Sequence, residues 1–272
     1  MLAFPTLSLA EWRETRDALH DYARVLGYFR RELMPPQKHW WHITLSVSGR
    51  GLTTAPIPAG PGAIEITLSP VHHCVDIVSS DGGARSVKLT GQSASDLGAA
   101  IGHELSSFGV AIAAPAATFE TVAHEYDAAA ATQFWSALVA VDLVFKEFKG
   151  TLREESGPVH VFPHHFDLSL NWFSGRRVPG TDPADADSAD EQMNFGFVTG
   201  DSSINDAYFY ATAYPTPEGL TEAGLPDGAC WHTQGFTGAV MPYAQIAASS
   251  DGRSRLLEFM LLAQRAGSSL MR

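Results

Sequence analysis

FPHHFDLSLNWFSGR, residues 162–176, decides the fold. Three groups able to carry protons or bind a metal, His164, His165 and Asp167, fall within four positions of it. The same stretch alternates with period two: Phe166, Leu168, Leu170 and Trp172 on one side, Asp167, Ser169 and Asn171 on the other. Sustained alternation marks a strand with one buried face. Successive strand side chains point to opposite faces, so His164 and His165 cannot both reach one metal centre within a regular strand. The stretch therefore reads first as a strand. Its chemistry lies in Asp167 on the polar face and in His160 just before it.

Working outward, WWHITLSVSGR at 40–50 shows the same alternation and the same Ser-Gly-Arg ending. Matching Trp41 to Phe166 places Ile43 on Leu168, Leu45 on Leu170 and His42 opposite Asp167. The Gly-Arg pairs then miss by one residue, which a bulge absorbs. A long helix precedes each stretch. The first has its apolar stripe at Trp12, Leu19, Tyr22, Leu26, Phe29 and Leu33, with Ser8 as cap and Pro35-Pro36 as stop. The second follows Trp135, Leu138, Val141, Phe145, Phe148 and Leu152.

Short strands IEITLS, HCVDIVS and RSVKLT, a helix that starts near Ser93 or Ser95 and ends near Gly109, and a strand at VAIAAPA complete the first half. Strands near Asn194–Thr199, Tyr208–Ala213 and Phe236–Val240 and a C-terminal helix complete the second. The expected fold is α+β: two pseudo-repeated halves, each an antiparallel sheet with a long helix across one face, in the order strand, helix, four strands, helix. The halves run 1–112 and 128–272, with a linker at 113–127. PGTDPADADSAD makes an acidic mobile loop at 179–191, whose spacing fails the calcium-loop pattern at Ala189.

Composition narrows the partners. Thirty Asp and Glu outweigh 18 Lys and Arg, a net charge of −12 that repels a phosphate backbone, so no nucleic acid is expected. The apolar run Phe134–Phe145 is too short for a bilayer and contains Asp142, so no membrane segment is expected. The start MLAFPTLSLA has neither the basic region nor the apolar core of a signal peptide, which points to the cytoplasm. Cys74 and Cys230 have no CxxC partners and read as small core residues.

Phosphate-loop, dinucleotide-turn and nucleophile-elbow patterns are absent. His103-Glu104 and His124-Glu125 lack the second His of a zinc-protease helix. What remains is a small-molecule-binding protein with a pocket between helix and sheet, where Trp40, Trp41, Trp172 and Phe173 give aromatic walls and Arg50 and Arg176 give charge. An enzyme using His160, Asp167 and His42 for acid–base chemistry, or His39, His42 and His160 around a metal, is the rival. A scaffold whose aromatic residues only fill the core is the third reading. No cofactor is assigned.

HWWHITLSVSGRGLTTAPIP, GPVHVFPHHFDLSLNWFSGR and AYFYATAYPTPEG together resemble a bacterial family known as domain of unknown function 5996. The resemblance runs from the first helix to MPYAQI. It implies a soluble bacterial protein and assigns it no activity. The family pattern matches at His39 to His42, Gly51 to Thr54, Pro158 to His160, Phe166 to Leu168 and Phe173 to Arg176. It departs at His164, His165 and Trp172, so the resemblance favours His160 and Asp167, with His39 and His42, over the His164-His165 pair.

Overall fold

The computed structural model describes residues 4–112, 118–185 and 187–271. Helix α1 (Leu9–Leu33) buries Leu19, Tyr22, Leu26 and Phe29 completely, the stripe that a 3.6-residue period demands. It ends at Leu33 because Pro35 disfavours the helical conformation at Met34. Helix α2 (Ala94–Ser107) is capped by Ser93, whose Oγ accepts the Asp96 amide at 3.1 Å.

Helix α3 (Ala128–Thr151) is long and apolar enough by composition to cross a bilayer. It nonetheless buries Phe134, Leu138, Val141, Phe145 and Phe148 and carries the Asp142–Lys146 ion pair, as the core helix of a folded domain does.

The first sheet contains β1 (Ser46–Val47), β2 (Leu52–Thr53), β3 (Ile57–Ala59), β4 (Gly62–Ser69), β5 (Cys74–Ser79) and β6 (Ala84–Lys88). Its spatial order is β1-β2-β4-β5-β6, with β3 also pairing β4. The second contains β7 (His160–Phe162), β8 (Asp167–Arg177), β9 (Asp190–Val198), β10 (Tyr208–Tyr214), β11 (Cys230–His232) and β12 (Gly238–Pro242), in the order β7-β8-β9-β10-β12-β11. Every pair with a determined register is antiparallel. The chain is thus an α+β protein with two sheet-containing halves. Each sheet has six strands rather than four, because the added ones are two or three residues long and too short to show a period.

In each half a long helix precedes the sheet; α2 follows the first, α4 (Tyr243–Ala247) and α5 (Gly252–Leu270) the second. Among the described residues no strand precedes α1.

The chain divides into two compact units. One comprises residues 10–112, 118–135 and 161–166; the other comprises 4–9, 136–160 and 167–271. The segment expected as a linker lies outside the described residues at 113–117. Its remainder, 118–127, is bonded into the first unit: the Ser95 amide donates to Glu120 O at 3.1 Å and the Asp127 amide to Thr15 Oγ1 at 2.9 Å. Val110–Ile112 forms no strand, and the rest of that expected strand lies outside the described residues. In the acidic loop, of which Ala186 is outside the described residues, β9 already begins at Asp190, which pairs with Arg177 at 3.1 Å.

The strand expected at 40–50 is corrected. Lys38–Ile43 is a 3-10 turn, with His39 and Trp40 in the left-handed region at φ 56° and 57°. Only Ser46–Val47 is strand. Local hydrogen bonds account for it: the Gln37 amide donates to His42 Nδ1 at 3.1 Å, and Thr44 Oγ1 donates to Trp41 O at 2.9 Å. Polar side chains that satisfy nearby backbone compete with a ladder. Trp41 therefore has no strand equivalence to Phe166, which itself sits in the Pro163–Phe166 turn at φ 56°. His42 is not the register counterpart of Asp167. Cys230 is corrected too: it is exposed on β11, at the sheet edge, whereas Cys74 is buried.

Candidate functional site

Strand β8 gives the second sheet two unlike faces, and both are buried. Leu168, Leu170 and Trp172 join Phe195 and Phe197 of β9 and Phe209 of β10 on the face toward the helices. Phe148 of α3 meets Phe195 at 4.8 Å between ring centroids. Gly267 of α5 lies so near Met193 that a Cβ would stand 2.4 Å from its sulfur. This layer is core.

The other face is polar along β8 and turns apolar toward β12, where Val198, Tyr208 and Val240 cluster with Ile204, Tyr210 and Phe236 against them. Antiparallel register aligns Ser169, Gly196 and Tyr210 in one row and Asn171, Asn194 and Thr212 in the next. Asp167 lies two residues from Ser169 and shares its face. Tyr210 donates its hydroxyl to Asp167 Oδ2 at 2.6 Å. Ser169 Oγ donates to Asn194 Oδ1 at 2.7 Å, and Asn171 Nδ2 donates to Gln192 Oε1 at 3.0 Å. Gly196 makes the arrangement possible: a Cβ there would fall 2.2 Å from Tyr210 Cζ, so only glycine lets that ring cross the strand toward Asp167. At the end of the same face Tyr208 donates to Asp201 Oδ2 at 2.6 Å.

Burial, followed by the neighbouring Asp167 charge, pushes the Tyr210 hydroxyl well above its ordinary value. Tyr208 rises for the same first reason, with Asp201 as the second. Both remain protonated at neutral pH and act as donors, not bases. The acceptors set the character of the face: Asp167, Asp201 and the amide oxygens. Asn171 Oδ1 is buried with no hydrogen-bond partner among the described residues.

The expected site residues separate between the units. Asp167, His160, Trp172, Phe173 and Arg176 belong to the second; His39, Trp40, Trp41, His42 and Arg50 belong to the first. His160 is fully buried on β7. Trp172 is a core residue whose Nε1 donates to Glu154 Oε2 at 3.0 Å. Phe173 is buried, and Arg176 is engaged by Glu191 at 2.5 Å and by the Met271 carbonyl. In the first unit the 3-10 turn stacks Trp40 on His42 at 5.4 Å and sets His39 against Trp41 at 5.3 Å. His42 Nδ1 is occupied as an acceptor, so only Nε2 remains for other chemistry. Arg50 is exposed in the turn closed by Ser48 Oγ. Among the described residues no three His, Cys, Asp or Glu side chains stand close enough to hold a metal ion.

Tyr208, Tyr210 and Gly196 were not singled out from sequence. The signal was present in the alternation of YFYATAY and in the lone glycine of MNFGF.

These features define the class, an α+β protein of two six-stranded antiparallel sheets, the second with a buried polar face. The chain belongs to the family of unknown function DUF5996, whose model matches residues 4–272. No curated protein and no solved structure matches it.

Proposed function

We propose that the protein binds a small polar molecule on the polar face of the second sheet. The observation that carries this is the Asn171 carbonyl oxygen, buried without a donor among the described residues. A buried acceptor left unpaired costs about 1–3 kcal/mol, which a donor from a ligand would recover. With Asp167 on the same face of β8, the site favours a ligand rich in O–H or N–H donors, such as a polyol or an amine, over an anion. The Tyr210–Asp167 clamp holds the wall of the site rigid. The charge of −12 supports a protein that takes no nucleic acid as partner. The strand orders differ, β1-β2-β4-β5-β6 with β3 beside β4 against β7-β8-β9-β10-β12-β11, so an internal duplication rests only on the long helix before each sheet, and superposition of the two units tests it.

The binding test is a thermal-unfolding screen with glucose, ribose, inositol, glycerol and ethanolamine on the wild type and on Asn171→Leu. At least one probe raises the wild-type midpoint and leaves the variant unmoved. Probes that move neither protein, or both equally, refute the reading.

A further inference from the structure

A groove of about 210 Å³ runs along α1 within the first unit, and none of its lining residues belongs to the polar sheet face. Helix α1 contributes Arg24, Gly27, Tyr28 and Arg31, the i, i+3, i+4 and i+7 positions of a single helical face. The opposite wall is Ile43, Phe119 and Pro163. Gly27 lets the turn close on the helix, since a Cβ there would lie 2.6 Å from Pro163 Cγ. Tyr28 meets Phe119 edge-on at 5.3 Å, and the Arg31 guanidinium lies over the Tyr28 ring at 5.4 Å.

The two cations are weakly committed. Arg24 pairs with Asp21 at 3.5 Å, longer than a normal N–H···O hydrogen bond. Asp21 is shared with His124 Nε2 at 3.7 Å. Arg31 pairs with its chain neighbour Glu32 at 3.0 Å, an exposed contact of the kind that contributes little. Arg24 and Arg31 are both exposed, and both line the aromatic-walled groove. They are the two residues of fixed charge that line this cavity.

We propose that this groove binds a small organic oxyanion: a carboxylate held by Arg24 and Arg31, with a flat apolar body against Tyr28, Phe119 and Pro163. Guanidinium forks match the geometry of a carboxylate, and aromatic walls suit a planar body. The cavity is smaller than a drug-sized site, which restricts the body to about one ring.

The test is an NMR titration of the full chain with benzoate, benzyl alcohol and inorganic phosphate as separate probes. Benzoate shifts the amides of residues 24–31, Phe119 and His164, and binds at least ten-fold more tightly than either other probe. The double variant Arg24→Gln/Arg31→Gln loses at least ten-fold in benzoate affinity. Arg13→Gln/Arg153→Gln, with the same change of net charge, keeps it. Arg24→Lys/Arg31→Lys preserves charge but not the fork and falls between. Equal binding of benzoate and benzyl alcohol, undiminished binding by the glutamine variant, or shifts confined to other residues overturn the proposal. Phosphate binding as tightly as benzoate overturns the flat-body assignment.

Discussion

Trp40 is 46% exposed and Trp172 is 3% exposed, although each belongs to an alternating stretch that ends in Ser-Gly-Arg. Around Trp40 the polar side chains find partners within five residues: His42 takes the Gln37 amide and Thr44 takes the Trp41 carbonyl. Around Trp172 they find partners on other strands, Ser169 on Asn194, Asn171 on Gln192 and Asp167 on Tyr210. Alternation alone does not choose between these outcomes. The choice depends on whether polar groups close short loops or bridge a ladder, and the bridging partners lie up to 43 residues away in the chain.

Alanine at the two tryptophans breaks this comparison most sharply. Trp172→Ala lowers stability by about 3–5 kcal/mol through loss of a buried ring, while Trp40→Ala changes it by less than about 0.5 kcal/mol. Urea unfolding measures both, and equal losses contradict the two environments. The polar face comes next. Gly196→Ala drives a methyl into the Tyr210 ring and costs about 2–3 kcal/mol. Tyr210→Phe leaves Asp167 without that donor and costs about 1.5–2 kcal/mol. A tolerated Gly196→Ala would show that the ring does not cross the strand there.

A smaller effect separates the turn before β8 from the strand itself. His20 stacks on Phe166 at 5.3 Å, and its Nε2 lies 3.2 Å from the His164 carbonyl. Burial lowers its pKa from 6.5 to about 4. Between those values the unfolded chain holds the proton and the folded chain does not, so stability falls as pH falls from 6.5 toward 4. His164, lowered by burial in the same way, adds to this slope, while the raised carboxyls Asp21 and Asp142 act in the opposite sense. The effect is therefore read as a difference. His20→Phe cannot take up the proton and shows a shallower loss than the wild type over this window. Parallel pH profiles contradict this.

Helices were the most legible part of the chain, because their stripes are local and long: α1, α2 and α3 all follow the apolar spacing. β4, β5, β6 and β8 were legible for the same reason. β1, β2, β3, β7 and β11 are two or three residues each and carry no period to detect. Of the site, Asp167, Ser169 and Asn171 could be placed on one face from alternation. The pairing of Tyr210 with Asp167 could not, because it depends on the missing side chain of Gly196 one strand away. His42 was misplaced because a 3-10 turn keeps the composition of a strand while changing its partners.

The central claim is that the Asn171 carbonyl oxygen is retained for a ligand rather than for the fold. Asn171→Leu, close in volume and without polar atoms, tests it by urea unfolding of the unliganded protein. The account predicts a gain of about 1 kcal/mol, since an orphaned acceptor is removed and the Gln192 amide oxygen it leaves is partly exposed. A loss of about 1–3 kcal/mol would show that Asn171 serves the sheet itself and would contradict the claim.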